Sequence, residues 1–307
     1  MNKLLIICGP TAAGKTSLAL NLAKEVNGEL INADARQIYK GMNIGTGKDL
    51  PTNSKFKNKN SKIKLGNDHF RIGYYLFDNI PLWLLDIVSP DYRFTVADYL
   101  QCVPPVLNNI WQRNHLPILV GGSGFYLRTL LEGIETIGIK PNWPLRKKLA
   151  RQTTAALQTM LKKQDRLRYN RMNHSDKNNP RRLIRAIEVV QKMKQEINKN
   201  NWQGIKKELG KKNILMIGMK WPMTTLDKRI KKRVQMRLEA GLLAEIKHLI
   251  KKGYHFSNSI LGETMAYKEW QKYFDGDEKK IDIISAWQKN ECQLARRQMT
   301  WFKKNKE

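Results

Sequence analysis

The chain has 307 residues, 41% of them apolar or aromatic, which suits one large α/β domain with an insertion, or two domains. Its 56 lysines and arginines face 27 acids, a formal net charge of +29 that points to a polyanion such as nucleic acid, with a basic proteome or adaptation for solubility as the plainer alternative. No apolar run approaches the roughly 20 residues of a membrane span. Three distant cysteines (Cys8, Cys102, Cys292) lack metal spacing and read as free buried thiols, and no signal-peptide pattern precedes the first strand, so a cytoplasmic location is the expectation.

Lys3 to Cys8 reads as a buried strand and Ser17 to Ala23 as a helix. Between them Gly9-Pro10-Thr11-Ala12-Ala13-Gly14-Lys15-Thr16 fits the phosphate-binding pattern G-x-x-x-x-G-K-[ST] at every specified position. The glycines let backbone N–H groups turn inward around phosphate oxygens at a helix N-terminus, Lys15 reaches the outer phosphates, and the Thr16 hydroxyl is placed to hold a phosphate-bound Mg²⁺. A second strand, Gly28 to Asp34, ends on a carboxylate where ligands of open α/β sheets sit; a turn cap is the structural alternative for Asp34. Residues 35–48 read as a functional loop, and the Lys/Asn-rich run from about Thr52 to Gly66 as a solvated loop or hairpin.

Leu82 to Ile87 again resembles a strand, and a helix runs from Phe94 to about Arg113, with Pro104-Pro105 expected to distort it. Pro117 to Val120 followed by Gly121-Gly122-Ser123-Gly124-Phe125-Tyr126 gives a second strand–turn–helix, in which Ser123 could meet a phosphate or substrate oxygen, cap the helix, or both. From 135 to 210, 19 lysines and arginines stand against 6 acids, with sparse apolar residues at helical spacing (Leu183, Ile184, Ile187, Val190). This reads as a basic helical insertion whose helix from Pro180 projects arginines, which the local charge excess assigns to phosphate contact over a merely solvated face. Core pattern returns in the strand Ile214 to Met219, followed by helices over about 225–240 and 242–251 in which Arg229, Arg233 and Arg237 share a face. Gln293 to Trp301 forms one last basic helix. The expected organisation is therefore a core of 1–134 and 211–307 interrupted by an insertion at 135–210.

Taken in order, the phosphate loop, Asp34-Ala35-Arg36-Gln37-Ile38-Tyr39 with Gly41 to Thr46, Val120 to Tyr126, Arg182 to Glu188 and Gln293 to Trp301 resemble the blocks of the tRNA dimethylallyltransferase family over residues 3 to about 303. The resemblance implies an α/β fold, with a P-loop NTPase-like three-layer core on a parallel sheet plus a small basic all-helical insertion domain. It implies transfer of the prenyl group of dimethylallyl diphosphate to N6 of adenosine 37, beside the tRNA anticodon. By motif, Gly9, Pro10, Thr11, Ala12, Ala13, Gly14, Lys15 and Thr16 hold the diphosphate, with Mg²⁺ at Thr16. Asp34 is the general base, Ser123 replaces the family's threonine, and Arg233 stabilises the leaving group. The anticodon stem-loop would meet Asp34, Ala35, Arg36, Gln37, Ser123, Arg146, Arg181, Arg182, Leu183, Ile184, Arg185, Gln293 and Arg297. A soluble monomer without membrane association is the default.

The chain departs from the family in Ala35, where a serine is usual, in Ala266, where glycine is usual, and in a longer insertion over 52–75. Three other functions compete: a small-molecule P-loop kinase, a prenyltransferase acting on free adenine nucleotides, and a non-catalytic RNA-binding protein. The first two leave the arginine-rich insertion without a role, and intact Lys15, Thr16 and Asp34 argue against the third.

Overall fold

A computed structural model describes residues 2–50, 55–65, 68–134, 136–193 and 204–304. Leu4–Cys8 (β1), Gly28–Asn32 (β2), Ile80–Trp83 (β5), Leu116–Gly121 (β6) and Ile214–Gly218 (β7) are parallel; Lys57–Leu65 (β3) and Asp68–Phe77 (β4) are antiparallel. The sheet order is β3-β4-β5-β2-β6-β1-β7, so the phosphate-loop strand β1 lies between β6 and β7. β1 and β2 are buried along their whole length, as strands covered on both faces must be. The parallel sheet expected from the sequence thus carries an antiparallel hairpin on one edge, built by the Lys/Asn-rich run; residues 52–54 and 66 of that run lie outside the described residues.

The helices are Lys15–Glu25 (α1), Val96–Gln112 (α2), Gly124–Glu132 (α3), Trp143–Leu149 (α4), Thr154–Gln164 (α5), Arg166–Arg171 (α6), His174–Lys177 (α7), Pro180–Met193 (α8), Ile205–Leu209 (α9), Met223–Glu239 (α10), Leu242–Lys251 (α11), Gln271–Phe274 (α12) and Lys280–Lys304 (α13). The chain divides into two compact units, residues 1–132 with 205–307, and residues 133–204. Helix α9, inside the expected insertion, belongs to the first unit.

The second helix is continuous through its two prolines, and two strand expectations change. Helix α2 runs through Pro104 and Pro105 without a break: a Thr95/Asp98 capping box fixes its start, and Pro105 and Gln101 are exposed, so the carbonyl of Gln101 that loses its N–H partner can turn to water. Strand β5 stops at Trp83 because Leu84 and Asp86 take positive φ values of 64° and 53°. Strand β7 is the sheet edge rather than core, with Leu215 63% exposed. The three cysteines are free and buried, as their spacing suggested.

In the smaller unit, α8 turns Leu183, Ile184, Ile187 and Val190 onto Leu149, Leu157 and Leu161. Proline at the first position of α8 removes an N–H that has no helical partner anyway.

Candidate active site

The chain leaves β1 at Cys8 and closes the phosphate loop through backbone that few side chains tolerate. Gly9 has φ 146°, and a Cβ there would lie 2.8 Å from the Met219 carbonyl oxygen; Ala12 and Gly14 have φ 60° and 87°. Gly14 is the N-cap residue of α1, and Thr16 is exposed on its first turn. Lys15 Nζ donates to the Pro10 carbonyl at 2.7 Å, folding the side chain back over the loop. Burial lowers the Lys15 amine to about 8, Asp34 opposes that shift and Arg233 reinforces it, so all three charges share one site. From the loop before α10, Trp221 Nε1 donates to the Ala13 carbonyl at 3.1 Å, and Arg229 stacks 4.0 Å from the Trp221 ring centre.

Asp34 lies two residues beyond β2, in a turn tied at both ends. Asn32 Oδ1 accepts the Asp34 N–H at 3.0 Å while Asn32 Nδ2 donates to the carbonyls of Asp34 (3.2 Å) and Leu84 (3.1 Å). Asp34 Oδ1 accepts the Arg36 N–H at 2.9 Å, so the carboxylate does cap a turn, and the capping locks its direction. Among the described residues the Ser123 hydroxyl accepts the Ala35 N–H at 3.0 Å instead of capping α3, which fastens the second glycine turn to the Asp34 turn. Gly121 permits this approach, since a Cβ there would sit 2.1 Å from the Ala33 carbonyl oxygen.

On the shared arginine face of α10, Arg233 meets the phosphate loop. Arg233 donates to Thr11 Oγ1 at 3.2 Å and to the Gly47 carbonyl at 3.3 Å, with Asp49 at 3.4 Å. Arg237 is buried against Glu291 at 2.7 Å, whose Oε1 also accepts from Trp287 Nε1 at 3.1 Å. Burial and the neighbouring Arg233 both push the Arg237 guanidinium below its usual range.

One residue of this site went unassigned in the sequence. Gln298 Oε1 accepts the Thr11 N–H at 2.8 Å and Gln298 Nε2 donates to the Gly122 carbonyl at 3.0 Å, joining the phosphate loop to the second glycine turn through α13. An amide that both accepts and donates is the side chain such a bridge needs. Its signal was an uncharged residue next to Arg296-Arg297 in the last basic helix.

The residues expected to meet RNA divide. Arg36 donates to the Glu263 carbonyl at 3.3 Å and Gln37 to the Gly47 carbonyl at 2.8 Å, both half-buried beside Asp34; Gln293 and Arg297 are exposed on α13. In the smaller unit Arg181 and Arg182 are exposed, Arg182 pairing with Asp176. The side chains of Leu183 and Ile184 are core, not surface. Arg185 does not project: it pairs with Glu188 and donates to the carbonyls of Thr136 (3.0 Å) and Ile139 (2.9 Å). Arg146 forks onto the same Glu188 at 2.9 and 2.7 Å. Burial pushes the Glu188 carboxyl up, but Arg146, the Asn142 amide and Arg185 together hold it below the usual carboxylate range.

Among the described residues no group of three or more His, Cys, Asp or Glu side chains could hold a metal ion. The Thr16 hydroxyl fits Mg²⁺ only where phosphate oxygens supply most of the ligands, as in other phosphate loops. No described helix is long and apolar enough to cross a membrane.

The sequence pattern of the family described as IPP transferase matches residues 73–305, and that of a second, described as isopentenyl transferase, matches residues 2–86. A tRNA dimethylallyltransferase of Acetivibrio thermocellus is 34% identical over 308 residues, covering 99% of this chain and 90% of that protein. One of Halothermothrix orenii is also 34% identical, covering 99% and 85%. The crystal structure of the full-length tRNA isopentenylpyrophosphate transferase from Bacillus halodurans is 31% identical with a TM-score of 0.64, over 100% of this chain and 88% of that one. A eukaryotic dimethylallyltransferase acting on tRNA, 23% identical over 98% of this chain and 70% of its own, shares the fold with a TM-score of 0.70.

Proposed function

The chain belongs to the IPP transferase family, and we propose on that footing that it is a tRNA dimethylallyltransferase, moving the dimethylallyl group of dimethylallyl diphosphate to N6 of adenosine 37. The observation that carries this reading is the convergence of Asp34, Lys15 and Arg233 on the phosphate loop at the carboxyl end of the sheet.

The adenine amine is a weak nucleophile because its lone pair is delocalised into the ring. As N6 bonds to the terminal prenyl carbon, the carbon–oxygen bond to diphosphate breaks and the N6 proton passes to Asp34. The Arg36 N–H bond to Asp34 Oδ1 keeps the carboxylate aimed during that transfer. Charge growing on the departing diphosphate meets the loop N–H groups, Lys15 and Arg233. An anion there favours the protonated Lys15 that burial disfavours. Thr16 would hold Mg²⁺ together with diphosphate oxygens, and the ion supplies further neutralisation of the leaving group when bound. The acceptor base leaves its stack to enter the site, as bases must for chemistry at their edges. Exposed basic residues, Arg181 and Arg182 among them, meet the tRNA backbone, and the protein acts as a monomer in the cytoplasm.

The test is incubation of the purified chain with unmodified tRNA, dimethylallyl diphosphate and Mg²⁺, followed by nucleoside mass analysis, with AMP and with ATP plus acceptor in parallel. A prenyl mass gain on adenosine from tRNA alone is expected. Unmodified tRNA with prenylated AMP, or with consumed ATP, would refute the reading.

A further inference from the structure

Glu245 and Tyr267 belong to no phosphate-binding or base-accepting group described above, yet one carboxylate gathers four donors. Glu245 lies in the first turn of α11. Its Oε2 accepts the N–H groups of Asn43 (2.9 Å) and Ile44 (2.8 Å), and its Oε1 accepts the Gly45 N–H (3.2 Å) and the Tyr267 hydroxyl (2.7 Å). Three successive N–H groups facing one carboxylate form a nest of the kind that binds anions, filled here by the protein itself. Tyr267 packs where a Cβ at Gly45 would stand, 2.4 Å from its ring. The residue before it, Ala266, has φ 73°, a conformation that costs any residue but glycine and that persists only where its surroundings impose it. Glu269 imposes it by accepting the Ala266 N–H at 2.9 Å.

The nest leads on to the reacting groups. The Gly47 N–H donates to the Ile44 carbonyl at 3.0 Å, so fixing Ile44 fixes Gly47. The Gly47 carbonyl accepts from Gln37 at 2.8 Å and from Arg233 at 3.3 Å. Beyond it, Lys48 is buried on the Tyr39 carbonyl (2.6 Å), Asn43 Oδ1 (2.8 Å) and Asp86, which pins the far end of the loop. We propose that Glu245 and Tyr267 are positioning residues, a latch that holds the Asn43–Gly47 loop so that the Gly47 carbonyl orients Arg233 toward the departing diphosphate. The latch rests on the role given to Arg233 in the proposed function.

The experiment is calorimetric titration of the full-length chain with inorganic pyrophosphate in Mg²⁺, for Tyr267→Phe, Arg233→Lys and the double variant. Tyr267→Phe keeps the ring and removes one donor, and it weakens pyrophosphate about fivefold or more in the native background. With Lys at 233 the same change adds less than about twofold, because the residue the latch orients is gone. Glu245→Gln, run through the same cycle, gives the same pattern should Tyr267→Phe not fold. Equal weakening in both backgrounds, or unchanged pyrophosphate affinity, overturns the latch. Since pyrophosphate binding is read without prenyl transfer, a chain that shows the coupling but leaves tRNA unmodified sinks the transfer to tRNA and keeps the latch on Arg233 and its diphosphate.

Discussion

Arg233 in the larger unit and the Arg146–Arg185 pair in the smaller one are held in opposite ways. In the larger one, Arg233 reaches a hydroxyl, a backbone carbonyl and an exposed carboxylate 3.4 Å away, and it stands beside Lys15 and the buried Arg237. Neutral oxygens and one exposed carboxylate hold Arg233, so its charge stays open to an incoming anion. In the smaller unit, Glu188 takes Arg146 and Arg185 together, closing two cations around one buried acid. The lesson is that a basic count marks a region as suited to RNA, while the partner of each guanidinium decides whether it can reach out.

Breaking Glu188 tests the contrast most severely. Glu188→Gln leaves two guanidinium groups facing a neutral amide and should destabilise the smaller unit by about 3 kcal/mol, read by chemical denaturation. A loss near zero would mean that Arg146 and Arg185 swing freely to solvent, and the two units would not differ in the way described.

Asp34→Asn comes next. It retains an oxygen to accept the Arg36 N–H and removes the base, so turnover should fall by about 10² or more while tRNA binding and thermal stability persist. Near-normal turnover would remove Asp34 from the chemistry and leave it a turn cap. Gln298→Ala, which unties the phosphate loop from the Gly122 turn, should lower kcat/KM by about tenfold through two lost hydrogen bonds. An unchanged value would make the bridge incidental.

Smaller effects sharpen the picture. Because the folded Lys15 amine titrates near 8, below its ordinary value of 10.5, pyrophosphate affinity should decline as pH rises through 8. The sign for stability is opposite: the unfolded chain binds the extra proton between about 8 and 10.5, so the ligand-free protein gains stability across that window. Pyrophosphate titrations and ligand-free thermal melts at pH 7.5 and 9.5, on the native chain and Lys15→Met, separate the two effects. Neutralising Arg181 and Arg182 together should reduce the salt slope of tRNA binding by about 2, with turnover at saturating tRNA preserved. An unchanged slope would turn that face to solvent alone.

Local pattern carried much of this molecule. The phosphate loop could be read outright, because glycine spacing, strand and helix sit within about twenty contiguous residues and their geometry is set by backbone rules. Asp34 followed from its place at a strand end, and the arginine face of α10 from its four-residue spacing. What escaped depended on partners far along the chain. The apolar run of β7 reads the same at a sheet edge as in its centre. Arg185 was expected to project because its attachment to the backbone carbonyls of Thr136 and Ile139 leaves no mark in its own helix. Gln298 meets Thr11 from 287 residues away, and Glu245 meets the Asn43 amide from 202. The sequence by itself thus determined which charged and hydroxyl groups are on hand for the candidate site. Only the tertiary structure decided which of them converge and which are neutralised, since hydrogen bonds and burial depend on distance in space, and spacing along the chain encodes only the short-range part of it.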